Sequence, residues 1–407
     1  METKKAQEIL DWCAQFEPRL IEIRRWLHQH PELGHEEYVT SERIIRELEL
    51  IPGMQIVQNL GKGTGVMGIL RGVKPGKTIL LRADMDALPI DEKSDCEYCS
   101  LHEGKMHACG HDVHVTWLLG AAMILSQLRS SFHGVIKFLF QPAEEVAGGR
   151  YVLEDKRVLS EPEVAYVFAA HAWPSIEVGK IGIAETYAFG AIKNFKLDIH
   201  GKGGHGSWPH KTIDPIAIGN VVYGALQQIV SRQINPIEPR VISIGSMHAG
   251  PLDKGNIIPD TCSMIGTMRA TNSDILAQME HSVRDLVENI TQGFHARAQL
   301  TFDEGLAPVK NDPILVQTVC DSVSKILGNA NVFIMKEPNL GGEDFSCFTE
   351  KKPGVYFFVG SSHPSLLESN ALHNASVVFD EKAIFYGAKT FAMLSLDVLG
   401  VEGEESV

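Results

Sequence analysis

Two textures alternate along this chain, and their order restricts the fold more than anything else in it. Short apolar runs rich in β-formers at residues 64–70, 77–83, 135–141 and 164–171 are separated by a helix-period segment at 112–128 and a weaker one at 145–155. Ahead of them, Ile9, Leu10, Cys13, Phe16, Leu20, Ile23 and Leu27 recur at helical spacing, with Pro18 as a point of interruption. Thr40 or Ser41 is placed to cap a second helix carrying Ile44, Ile45 and Leu48. Apolar strands alternating with helices predict an α/β layer: a largely parallel mixed sheet flanked by helices. The same texture returns after about residue 306, with a helix at 313–327, a strand at 355–359 and a last helix at 381–399.

The stretch between differs. It reads as strand 192–200, helix 213–231, strand 240–247, strand 261–270, helix 273–291 and strand 296–302. This β-α-β-β-α-β order is that of a ferredoxin-like α+β unit, which closes a compact domain of its own. The economical organisation is one discontinuous domain (residues 1–188 and 304–407) interrupted by an inserted one (189–303). Three sequential domains are the rival.

Charge and composition exclude several classes. The 37 basic and 51 acidic residues leave a net charge of −14, which repels phosphate backbones, so nucleic acid is not an expected partner. The longest uncharged apolar runs, 113–128 and 215–231, contain polar residues and fall short of a bilayer crossing. The first thirteen residues carry Glu2, Glu8 and Asp11 and no apolar core of a secretory leader, so neither membrane nor export is expected. Only the tail 402–407 reads as disordered. Seven cysteines are odd in number and sparse, which argues against a disulfide framework and for a reducing cytoplasm.

Ligands of open parallel sheets bind beyond the carboxyl ends of the strands, and the unusual polar residues gather there. Strand 77–83 runs into Asp84-Met85-Asp86, strand 135–141 into Pro142-Ala143-Glu144-Glu145, and strand 164–170 ends at His171. The segment His107-Ala108-Cys109-Gly110-His111-Asp112 directly precedes a helix. His, Cys and carboxylate together are the ligand set of a transition-metal ion such as Zn²⁺, Mn²⁺ or Co²⁺. A competing site, a zinc knuckle of Cys96, Cys99, Cys109 and His111, lacks the usual second paired spacing and leaves the strand-end carboxylates unexplained. Neighbouring side chains in a turn diverge, so one member of Glu144-Glu145 can bind metal while the other faces a metal-activated water as general base. No Gly-x-Ser-x-Gly elbow suggests a serine nucleophile. In the inserted stretch, Gly203-Gly204-His205, Asn256 and Arg269 offer donors suited to an oxyanion and a carboxylate.

Arg82-Ala83-Asp84-Met85-Asp86-Ala87-Leu88-Pro89, Met106-His107-Ala108-Cys109-Gly110-His111-Asp112, Gln141-Pro142-Ala143-Glu144-Glu145, Gly203-Gly204-His205 and Gly341-Gly342-Glu343-Asp344-Phe345 together resemble the aminoacylase and carboxypeptidase G superfamily of dinuclear metallohydrolases. The nearest branch holds hippurate hydrolases, auxin-conjugate amidohydrolases and N-acyl-amino-acid deacylases. The resemblance implies two divalent ions per subunit held by Cys109, His111, Glu145, His171 and His373, with Glu144 as the acid/base. It implies that Asp84, Asp86 and Asp112 support the ligands from behind, leaving His107 and His114 either supporting or structural. It further implies that His205 reaches the scissile carbonyl, that Asn256 and Arg269 hold oxyanion and carboxylate, and that the inserted domain serves as a lid and homodimer contact. The expected activity is hydrolysis of a small-molecule N-acyl amino acid to carboxylate and free amino acid. A dipeptidase or exopeptidase, with Glu343 or Asp344 receiving a substrate amine, is the alternative within this chemistry. A degenerate metal- or ligand-binding scaffold is the alternative outside it.

Overall fold

The computed structural model describes residues 2–367 and 370–400, and the tail predicted to be disordered lies outside them. Twelve principal strands follow in chain order: β1 (Met54–Leu60), β2 (Gly65–Arg71), β3 (Thr78–Asp84), β4 (Val135–Gln141), β5 (Tyr166–Glu177), β6 (Ile181–Ala184), β7 (Ala191–His200), β8 (Arg240–His248), β9 (Thr261–Ala270), β10 (Arg297–Phe302), β11 (Val332–Met335) and β12 (Gly354–Ser362). The longer helices are α1 (Glu2–Gln29), α2 (Tyr38–Glu49), α3 (His111–Gln127), α4 (Pro215–Gln228), α5 (Ser273–Gly293), α6 (Pro313–Leu327) and α7 (Lys382–Leu399). The described residues form two compact units. One comprises Met1–Ala188, Lys310–Lys336 and Asp344–Val407, the other Phe189–Val309 and Glu337–Glu343. The short stretch Glu337–Glu343 thus packs with the insertion.

The first unit is built on an eight-stranded mixed sheet in the order β1-β2-β4-β3-β5-β12-β6-β11. Its centre is parallel, β4 with β3, β3 with β5 and β5 with β12, whereas β1/β2, β2/β4 and β12/β6 are antiparallel. Strands covered on both faces read as continuous apolar runs, and β3 and β4 are buried at every residue. Helix α3 is buried on every side from His111 to Leu125, with an apolar body after its polar first turn, and packs between α1, α7 and the sheet. Leu20, Ile23, Trp117, Phe357 and Phe391 all lie in this core. Each buried Leu, Ile or Phe there contributes about 1.5–3 kcal/mol relative to exposure. A Cβ on Gly387 would meet the Trp117 ring at 2.5 Å, so glycine is what lets α7 approach α3.

Helix α1 continues through Pro18 rather than breaking there. An interior proline costs about 3 kcal/mol, and the stripe Ile9, Cys13, Leu20, Ile23 and Leu27, buried on both sides of it, offsets that cost. Helix α2 starts earlier than predicted. Thr40 and Ser41 are buried inside it, and the carboxylate of Glu32 accepts the Val39 and Thr40 amides at 3.2 and 2.8 Å. The weak helix predicted at 145–155 is broken into a turn at Glu144–Val146 and a short helix at Gly149–Val152, because Ala143 and Ala147 on either side of the turn adopt left-handed φ of 60° and 58°.

The second unit carries an antiparallel four-stranded sheet, β8-β9-β7-β10, which is the ferredoxin-like order. Along β9, Cys262, Met264, Gly266, Met268 and Ala270 face inward in strict alternation. Helices α4 and α5 are capped by Asp214 and Asn272, whose side chains accept amide protons of the first turn. Among the described residues no helix is long and apolar enough to cross a membrane.

Candidate metal centre

Four segments of the first unit converge at one rim. Strand β3 ends at Asp84 and hands on Asp86. Beyond β4, Pro142 and the left-handed Ala143 swing the chain into the Glu144–Val146 turn. Strand β5 does not end at His171, as the sequence suggested, but continues to Glu177. Its pairing with β3 stops at Ala169, while His171 stays paired with Phe358 of β12. Helix α3 opens at His111 after Gly110, which sits at φ 91° with Phe379 only 2.9 Å from where a Cβ would be. His373, also left-handed at φ 60°, joins from the C-terminal segment, its amide donating to the Ala108 carbonyl at 3.0 Å.

The donor atoms gather closely. Cys109 Sγ lies 3.3 Å from His171 Nε2 and 3.3 Å from His373 Nε2. Glu145 Oε1 is 3.3 Å from His373 Nε2 and 4.0 Å from His111 Nε2. They form overlapping sets, Cys109/His111/His171, Cys109/Glu145/His373 and His111/Glu144/Glu145, each with its donor atoms within 4.8 Å of one another. Cys109, His111 and Glu145 each belong to two of these sets, so the sets are joined through them.

The electrostatics fit a site for a divalent cation. Both ring nitrogens of His111 and Oε1 of Glu145 are buried without a hydrogen bond among the described residues, a costly state unless something else satisfies them. Burial alone would strip His111 of its proton, yet Asp84, Asp86 and Glu145 overrule it and hold the ring up at about 10. Burial, reinforced by the charges of Glu145, Glu144 and Asp84, pushes the Cys109 thiol well up. A thiolate is sustainable there only beside compensating positive charge. Mixed sulfur, imidazole and carboxylate donors fit borderline divalent transition ions.

The surrounding residues separate into distinct tasks. Asp86 accepts the amides of Glu144 and Glu145 at 3.0 and 3.1 Å and lies 3.3 Å from His111 Nδ1. Asp84 takes His114 Nδ1 at 2.5 Å, while His114 Nε2 accepts the Ala172 amide at 2.8 Å. Both nitrogens of His114 are thereby committed to structure. His171 Nδ1 donates to the Ala172 carbonyl at 2.8 Å, which leaves Nε2 as the free lone pair facing Cys109. Asp112 turns away from the cluster and binds His28 Nδ1 at 2.8 Å and Arg24 Nε at 3.1 Å. His107 is buried with neither nitrogen hydrogen-bonded among the described residues, and burial pushes its pKa down to about 3.

Sequence reading missed the hub beneath these residues. Arg82 bridges Asp84 (2.5 Å), Gln141 (3.0 Å) and Asp344 (2.9 Å), and Asp344 also accepts Gln141 Nε2 and the Gly149 amide. The only signal was the polar Arg82 and Gln141 inside otherwise apolar strands.

In the second unit, His205 and Asn256 lie together and exposed, where Gly204–His205 pairs with Ile257–Ile258. The Ser207 amide donates to His205 Nδ1 at 3.1 Å, so the ring proton sits on Nε2. Arg269 is not with them. It pairs with Ile192 near the far end of β9 and donates to the Leu340 carbonyl at 2.9 Å. The eight residue steps from Thr261 to Arg269 span about 26 Å of strand.

Comparison with known proteins agrees with this geometry. Residues 80–397 match the model of peptidase family M20/M25/M40. The chain is 39% identical over 393 residues to thermostable carboxypeptidase 2 of Saccharolobus solfataricus, covering 96% of each protein. It is 35% identical to N-acetylcysteine deacetylase of Bacillus subtilis, covering 94% of this chain and 98% of that one. Among solved structures, the Bacillus subtilis YxeP protein, a dinuclear metal binding peptidase from the M20 family, superposes with a TM-score of 0.82 at 32% identity over 95% of this chain and 98% of its own. A rim of Cys, His and Glu at sheet ends, with this extent of likeness, makes the chain a member of peptidase family M20/M25/M40 and a hydrolase acting on amide bonds.

Proposed function

We propose that this hydrolase cleaves N-acyl amino acids to a carboxylate and a free amino acid, with Glu144 as the acid/base. The Glu144–Glu145 turn carries the reading: left-handed residues on both sides and the Asp86 carboxylate on both amides fix two adjacent carboxylates, of which Glu145 faces the Cys109/His373 set. Cys109, His111, Glu145, His171 and His373 would hold two divalent ions, with Zn²⁺, Mn²⁺ and Co²⁺ all compatible, and these would supply Lewis-acid chemistry that polarises the scissile carbonyl and acidifies water. Glu144 accepts the proton of the attacking water and delivers it to the leaving amine. His205, with its proton on Nε2, donates to the carbonyl oxygen as charge develops, and Asn256 assists. Arg269 pairs with the substrate carboxylate. Relatives named for deacylation, the N-acetylcysteine deacetylase above and the Arabidopsis thaliana IAA-amino acid hydrolase ILR1-like 2 (34% identical), support this substrate class.

An exopeptidase is the second reading, favoured by the carboxypeptidase relative. One part of it weakens: Asp344, offered as a partner for a substrate amine, is buried and taken up by Arg82, Gln141 and the Gly149 amide. The deciding experiment compares kcat/KM for N-acetyl and N-aroyl amino acids with matching unblocked dipeptides, following release of the free amino acid from protein purified without chelator. We expect at least a tenfold preference for acyl substrates, on the order of 1.4 kcal/mol. Faster cleavage of dipeptides would replace this reading with the second. Metal-loaded protein inert across the panel would leave a binding scaffold.

A further inference from the structure

The pair Cys96 and Cys99 has no part in the centre described above, yet it lies in a cluster of its own. Its elements are the last turn of α1, which carries His28, and the loop between β3 and α3, which carries Glu92, Cys96 and Cys99. Cys96 Sγ is 3.0 Å from Cys99 Sγ and 3.5 Å from Glu92 Oε1, and Glu92 Oε1 is 3.1 Å from His28 Nε2. The donor atoms of His28, Glu92 and Cys96 all fall within 4.8 Å of one another.

Three features make this more than a chance grouping. The first is orientation. His28 gives Nδ1 to Asp112, a fully buried carboxylate itself held by Arg24, so Nε2 is aimed at Glu92 and the thiols. A carboxylate behind a histidine, fixing its tautomer and raising its basicity, is the usual support of a metal-bound imidazole. The second is anchoring: Glu92 Oε2 accepts the Ser100 amide at 2.6 Å, and the Tyr98 ring lies under the guanidinium groups of Arg24 and Arg25 at 4.5 and 4.9 Å. These contacts tie the loop to α1 before any ion arrives. The third is access, since both cysteines are half-buried while His28 is buried.

We propose that His28, Glu92, Cys96 and Cys99 form a third metal site, separate from the catalytic pair and selective for a thiophilic divalent ion such as Zn²⁺. Two sulfurs, one nitrogen and one carboxylate oxygen complete four-coordination without water, the closed pattern of a structural site. Binding releases the two thiol protons and the proton on His28 Nε2 to solvent. The ion would clamp the loop to α1 and, through Asp112, to the first turn of α3 beside His111.

The test uses full-length protein, stripped with chelator, dialysed and titrated with Zn²⁺. The wild type should bind one equivalent more than the C96S/C99S double variant. With Co²⁺ the thiolate-to-metal absorption should fall by roughly two-thirds in that variant, because two of three ligating thiolates are gone. A His373→Ala variant with intact Cys96 and Cys99 should keep the extra equivalent, so failure of the catalytic-centre assignment and failure of this one read differently. Zn²⁺ should also shield Cys96 and Cys99 from alkylation in the wild type, mapped by peptide mass, a measurement that needs no variant to fold. Equal stoichiometry in wild type and double variant, unchanged alkylation, or a Cys96–Cys99 disulfide in protein that still binds only two ions would overturn the proposal.

Discussion

Two carboxylates one residue apart are assigned opposite tasks because the backbone between them is held rigid, not because their chemistry differs. Asp86 spans both amides and the left-handed Ala143 and Ala147 close the turn on either side. Glu144→Ala should therefore keep the full metal content, measured by elemental analysis after dialysis, while kcat falls about 10²–10⁴-fold. Asp86→Ala should behave differently, weakening metal affinity about 10–100-fold as the turn and His111 lose their common support. Near-normal turnover in Glu144→Ala would remove that residue from the chemistry. The same scale shows where sequence reading stops. Cys109, His111 and the Glu144-Glu145 pair stood out from residue type and position. His107 and His114 could not be told apart, because what separates them is tertiary: His114 has both nitrogens bonded, His107 has neither. His373 was reached only through resemblance, since nothing in its spacing links it to residues 264 positions away.

Elements long enough to show their period were legible. Helix α6 and strands β4 and β9 fall where the pattern put them, and α3, α5 and α7 differ by a residue or two at an end. The short parallel strands β6 and β11, four residues each, escaped notice because their pairing is supplied by distant segments. So did the role of Glu37, just ahead of α2. Buried, it accepts the Ala143 amide at 2.7 Å and the Thr64 hydroxyl at 2.8 Å, fastening α2 to the loop that delivers the two glutamates. Burial pushes its pKa from 4.5 up to about 7, against the Thr64 hydrogen bond and with help from Asp86. Because the folded value exceeds the unfolded one, the folded state binds more protons between them. The stability this group contributes is full below about 4.5 and is lost as pH rises through about 7. Glu37→Gln keeps an acceptor for Ala143 and reverses the Thr64 contact, its Nε2 donating to the hydroxyl, without the charge. In chelator-treated protein, urea midpoints at pH 5 and pH 8 should diverge in favour of the variant by on the order of 2 kcal/mol. Parallel pH profiles would show that Glu37 stays ionised in the fold.

At the scale of the whole molecule, the three roles proposed for the inserted domain set a geometric test. His205 and Asn256 lie beyond the Thr261 end of β9, and Arg269 lies near the other end, about 26 Å of strand away. An N-acyl amino acid is far shorter than that span. If all three residues touch one substrate, two copies of the domain must contribute, which is possible in a symmetric dimer where each patch faces the other subunit's site. Mixing separately inactive chains tests this without knowing the interface. Equal amounts of His205→Ala and Glu144→Ala, unfolded and refolded together, give mixed dimers in about half the population. If His205 acts across the subunit boundary, each mixed dimer has one site with an intact Glu144 and an intact incoming His205, and activity should return to roughly a quarter of wild type. If instead Arg269 crosses the boundary, the His205 mixture stays inactive and Arg269→Ala with Glu144→Ala recovers. Recovery in both mixtures is incompatible with the separation along β9. Recovery in neither would mean that one of these residues does not reach the substrate, and the single-variant KM for acyl substrate would then identify which.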